Sequence, residues 1–152
     1  MSIGYVTVIE ADEYISTRYT LSSEDRIRWT ALSDEDKEIY LRQSMDAIER
    51  LPFRGRKTYN GQVLAFPRYP LSTVPENVKA AQIENALKLS DSDSSEDTEL
   101  YDKLNLHGVY SYSIGNLSER LTAATTARTA GISSTRAMQF LQPFLMGGFD
   151  IL

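Results

Sequence analysis

Residues 33–70, SDEDKEIYLRQSMDAIERLPFRGRKTYNGQVLAFPRYP, constrain this chain more than any other stretch, because they set a sharply marked helix directly against a long segment with no helical period. Ser33 at the N-cap position can accept from the N–H groups of the first turn, and Asp34, Glu35 and Asp36 put negative charge at the positive end of the helix dipole. At about 100° per residue, Tyr40, Leu41, Ser44, Met45, Ala47, Ile48 and Leu51 fall on one side. Glu38, Arg42, Gln43, Asp46, Glu49 and Arg50 share the other. Ile39 is the misfit on that wet side. The helix reads as scaffold, and Leu51-Pro52 ends it.

The segment that follows, 52–74, is 23 residues long and carries Pro52, Gly55, Gly61, Pro67 and Pro70. Connections beyond about 12–15 residues are unusual in a compact domain unless they do something. Asn60-Gly61, between Thr58-Tyr59 and Val63-Leu64, is a strong turn signal and predicts a small hairpin or projecting finger. Arg54, Arg56, Lys57 and Arg68 are interleaved with Phe53, Tyr59, Phe66 and Tyr69, with no acid among them. Cations alternating with aromatics suit phosphate contact plus base stacking, and equally suit the Arg and Tyr anchors of a protein interface. Composition does not choose between these and a solvated loop; the interface reading stands first.

Around this centre the chain reads as mainly α: a compact bundle of about four helices with long loops and a short strand or hairpin. Thr7 and Glu10 have capping-box spacing and open a first helix over about 8–19. Residues 20–32 are read as a connection in which Trp29 is a core anchor. Pro75 suits the first position of a helix whose stripe is Ala80, Ile83, Ala86 and Leu87, packed on the 33–51 helix, with Glu84 paired to Lys88 on the far side. Residues 90–99, with five acids, four serines and a threonine, predict a mobile acidic loop. Residues 109–114 suggest a short strand. A last helix starts near Ser133 or Ser134, carries Ala137, Met138 and Leu141, and stops near Gln142 before Pro143. The apolar tail 145–152 either folds back on its own core or adds to a neighbour as an extended strand or plug; a partner is favoured, because exposed apolar termini are a liability.

At 152 residues the chain is one domain's worth, and no apolar run approaches the roughly 20 residues that span a bilayer. Without cysteine, disulfides and thiolate metal sites are excluded; the acidic amino terminus is unlike a signal peptide, so a soluble, cytosolic chain is expected. A net charge of −5 opposes wholesale nucleic-acid binding, which is driven by cations displacing counterions, so any such contact is local. His107 is the single histidine and reads as a loop or surface residue. GxSxG, HExxH and GxxxxGK[ST] motifs are absent, so no catalytic residue, metal or cofactor is assigned.

Taken together, YVTVIEADEYI, WTALSDEDKEIYLRQSMDAIERLPFRGRK, LAFPRYP, VPENVKAAQIENALKL and RAMQFLQPFLMGG resemble the head-tail connector (adaptor) proteins of tailed bacteriophages, close relatives of which are labelled DnaT-like single-stranded DNA-binding proteins. The patterns at 29–37, 53–57 and 65–68 carry the likeness; residues 90–131 depart from it most. The resemblance implies a non-enzymatic virion subunit at the head-tail interface, in a homo-oligomeric ring of twelve below the portal protein. Such a ring extends the channel for passing double-stranded DNA and docks a tail, stopper or tail-completion protein. Arg54, Arg56, Lys57, Tyr59, Phe66, Arg68, Tyr69 and Ile39 would then face the ring interface or channel. Phe140, Phe144, Leu145, Phe149, Ile151 and Leu152 would reach the portal. The alternative is a single-stranded DNA-binding replication accessory protein.

Overall fold

The computed structural model describes residues 2–91 and 131–146. Five α-helices lie within them: α1 (Val8–Arg18), α2 (Glu24–Ala31), α3 (Asp34–Glu49), α4 (Glu76–Asp91) and α5 (Thr135–Leu141), the last running into a 3-10 turn at Gln142–Phe144. Among the described residues there is no strand, only isolated antiparallel pairs. The expected 90–99 loop beyond residue 91, the 109–114 strand and His107 lie outside the described residues.

Four of the helices start on a hydroxyl. Thr7 completes a capping box with Glu10, and Ser23, Ser33 and Ser134 each accept from the backbone N–H three residues on. α4 begins one residue after Pro75, whose carbonyl accepts from the Val78 amide at 3.1 Å. α2 was not expected. It has a good cap and two acids in its first turn, yet Trp29 is its one buried residue, so no apolar period marks it.

α4 is the centre of the molecule. It packs most extensively on α3 and α5, and also on α2 and α1. The expected stripe is buried, but so are Gln82, Glu84 and Asn85. Glu84 therefore does not form a solvent-side pair with Lys88: it is 4% exposed, and Lys88 meets Asp91 at 3.6 Å. Over residues 80–87 α4 is covered on all sides, so Glu84 has no water to face.

Its buried polar side chains act as fixings, as buried polar groups must. The Gln82 side chain accepts from the Tyr5 amide (3.0 Å) and donates to the carbonyls of Ile3 (2.6 Å) and Leu41 (3.0 Å). That pins the amino-terminal turn, where Gly4 has φ +70° and a Cβ would come within 2.7 Å of Met45. Asn85 accepts from the amides of Ser133 and Ser134 and so sets the entry to α5. Asp12 of α1 accepts from Trp29 Nε1 at 2.9 Å and from Lys37 Nζ at 3.1 Å, joining α1, α2 and α3. Fully buried Trp29, Ile15, Leu41, Ile48, Leu141 and Leu145 fill the core, each aliphatic side chain stabilising by about 1.5–3 kcal/mol.

The described start of the tail folds back on its own chain. Residues 144–146 run antiparallel to 52–54: the Arg54 amide donates to the Phe144 carbonyl at 2.9 Å and the Met146 amide to the Pro52 carbonyl at 3.0 Å.

Candidate nucleic-acid interface

The 52–74 segment is anchored through aromatics. Phe66, 2% exposed, makes edge contacts with Phe53 (4.7 Å between ring centroids), Phe144 (5.3 Å) and Tyr5 (6.0 Å). Burial of its aromatic area and these edge-to-face contacts hold the base of the segment on the core. Glu49, expected on the wet face of α3, instead accepts from the Ala65 amide at 2.9 Å and from the Tyr5 hydroxyl at 2.6 Å. Burial first, and then the hydrogen bond to Glu49, pushes the Tyr5 phenol well above its ordinary range.

From this base the chain extends as a finger. Thr58 N–H donates to the Pro67 carbonyl (3.1 Å) and Tyr69 N–H to the Arg56 carbonyl (2.9 Å), so Lys57 and Arg68 face each other across a two-bond ribbon. The expected turn is at the tip, with Gly61 at φ +77°, a left-handed conformation that glycine adopts without strain. The hairpin stops there, because Gln62 turns inward: its amide nitrogen donates to the carbonyls of Leu64 and Pro67 in place of further ladder bonds. The Phe66-Pro67 and Tyr69-Pro70 peptides are cis.

The four cations do different things. Arg68 donates to three carbonyls, Arg54 (2.7 Å), Gly55 (2.8 Å) and Ala65 (3.2 Å). Arg54 Nε donates to the Leu145 carbonyl at 2.8 Å. Lys57 Nζ lies 3.2 Å from the Gln62 carbonyl and 3.4 Å from that of Val63. Arg56 lies over the ring of Tyr69, 4.4 Å from its centroid, a cation–π stack on a residue that remains 59% exposed. Tyr59 (54% exposed) and Val63 (86%) complete the outer surface. Between the finger, the amino terminus and the start of α4 runs an open groove of about 610 Å³, lined by Tyr5, Tyr59, Leu64, Phe66 and Lys79.

Of the residues singled out in the sequence, Arg56, Lys57, Tyr59, Arg68 and Tyr69 come together on the finger, whereas Phe66 is buried beneath it. Ile39 is exposed on α3, as its position on the wet face implies. Phe140 and Phe144 are half-buried against the core and Leu145 is fully buried in it; Phe149, Ile151 and Leu152 lie outside the described residues. Sequence reasoning missed Gln62, Glu49 and Tyr5: the partners of Glu49 and Tyr5 lie far along the chain, and those of Gln62, though only two to five residues away, are backbone groups of an irregular turn that no motif marks. Among the described residues no group of His, Cys, Asp and Glu could hold a metal ion, and no helix is long and apolar enough to cross a membrane.

No curated protein and no solved structure matches the chain, and the connector resemblance has no counterpart in these comparisons. Over residues 4–151 the chain matches the family model described as "Putative DnaT-like ssDNA binding protein", and it belongs to that family.

Proposed function

We propose that this chain is a non-catalytic protein that binds single-stranded nucleic acid through its 52–74 finger. The observation that carries the reading is the stack of Arg56 on the exposed ring of Tyr69, beside Lys57 and Tyr59, in a segment without an acidic residue. A guanidinium and an ammonium supply phosphate contacts, exposed tyrosines supply faces for bases, and the adjoining groove has the volume of a small-molecule site. Family membership supports the same reading. A local basic surface of two cations on an acidic protein binds weakly, with an affinity that falls as salt rises.

The test is fluorescence anisotropy with a labelled oligothymidylate across a salt series. The double variant Arg56→Gln, Lys57→Gln should weaken binding and reduce the slope of log K against log[salt] by about 1.4, that is about 0.7 for each lost phosphate contact. Absence of binding by the unaltered chain at low salt would remove the reading.

A second reading, the ring-forming head-tail connector, is favoured by apolar exposure that phosphate contact leaves without a use: Val63 and Leu71 on the finger, and Ile39 on α3 at 46%. It expects a closed ring on the cognate portal protein by electron microscopy. Ile39→Glu should leave the circular dichroism unchanged and abolish that ring; a ring that survives the substitution counts against Ile39 as the subunit contact, and no ring with the unaltered chain sinks the reading.

A further inference from the structure

We infer that Arg68 is a positioning residue for the finger and makes no contact with nucleic acid, an inference that deepens the binding reading above and rests on it. The ribbon sets Lys57 and Arg68 directly opposite one another. Like charges in that relation repel, and a chain built only to present cations would splay them into solvent. Here the Arg68 head turns back onto three carbonyl oxygens, whereas Lys57 stays exposed, with only longer approaches of 3.2 and 3.4 Å to the Gln62 and Val63 carbonyls.

The planar guanidinium of Arg68 reaches Arg54 and Gly55 on one limb of the finger and Ala65 on the other, all at hydrogen-bond distance. The Arg54 carbonyl it holds belongs to a residue that is itself fastened to the tail, through its amide to Phe144 and through Nε to Leu145. Arg68 thus links the tail, the finger base and the outgoing limb. The next residue along is Tyr69, whose amide closes the ribbon on Arg56. Loss of Arg68 therefore acts on the placement of the Arg56–Tyr69 stack. No ammonium reproduces a fork that meets three carbonyls at once, so lysine is no substitute for arginine at this position.

Arg68→Lys and Arg68→Gln distinguish positioning from contact. Both should lower oligothymidylate affinity about tenfold while leaving the salt slope at the wild-type value, since no phosphate contact is lost. Both should speed hydrogen exchange at the Thr58 and Tyr69 amides, with the α3 and α4 amides and the melting temperature little changed. Arg68→Lys binding like wild type, or a shallower slope in Arg68→Gln, would overturn the inference. If the unaltered chain binds no oligonucleotide the proposed function fails, and the exchange measurement decides the positioning role alone: protected Thr58 and Tyr69 amides in Arg68→Lys would refute it.

Discussion

Glu84 sits inside α4 and accepts from Tyr19 Oη at 2.6 Å and Tyr14 Oη at 2.9 Å, while Arg136 of α5 approaches to 3.5 Å. One carboxylate so joins α1, α4 and α5. Burial first, and then the hydrogen bond to Glu84, pushes both phenols well above their ordinary range, as burial and Glu49 do for Tyr5. A phenol whose folded pKa is raised contributes stability that is complete below the unfolded pKa of about 10 and is lost as pH climbs from there toward the folded value. The folded chain should therefore keep Tyr5, Tyr14 and Tyr19 protonated above pH ~10 and release those protons on unfolding. A late rise in phenolate absorbance coincident with loss of helical circular dichroism is expected; ionisation of all the tyrosines before any loss of ellipticity would contradict it. Glu84→Gln removes the charge beside two phenols. It should bring that late step to lower pH and cost about 1.5–3 kcal/mol at neutral pH, the worth of a hydrogen bond to a charged group.

Among the elements, α1, α3, α4 and α5 were legible because each combined a start signal with an apolar period. α2 was not, because one tryptophan cannot make a period. The finger was legible as a cluster of cations and aromatics around Asn60-Gly61, but not as a built object. Arg68 meets carbonyls 13 and 14 residues back, and Arg54 meets one 91 residues ahead, separations that no local pattern encodes. The tail was open between folding back and reaching for a neighbour, and its start at 144–146 folds back on Pro52 and Arg54. Met146→Pro tests that pairing without touching the core: it deletes only the amide that donates to Pro52, and the extended Leu145 (ψ 152°) suits a residue before proline. A stability loss of about 1 kcal/mol is expected, with faster hydrogen exchange at the Arg54 amide. An Arg54 amide as protected as in the unaltered chain would show that the strand pairing does not hold the finger base.

At the scale of the whole molecule, the described residues are arranged around α4, and three of its polar side chains fasten what surrounds it: Gln82 the amino-terminal turn, Glu84 α1 and α5, Asn85 the entry to α5. The sequence by itself determined the helical class, because hydroxyl caps and periods of 3.6 residues act within one turn of the chain. It also determined which segment carries cation and aromatic together, because that is composition. Only the tertiary structure decided that α4 lies at the centre, since burial on several sides depends on how many neighbours arrive. The partners of the finger's cations were decided the same way: the Arg54 and Gly55 carbonyls become partners for Arg68 only once the chain has brought them within 3 Å, and the Arg56–Tyr69 stack with Lys57 beside it is the surface the proposed binding reading uses.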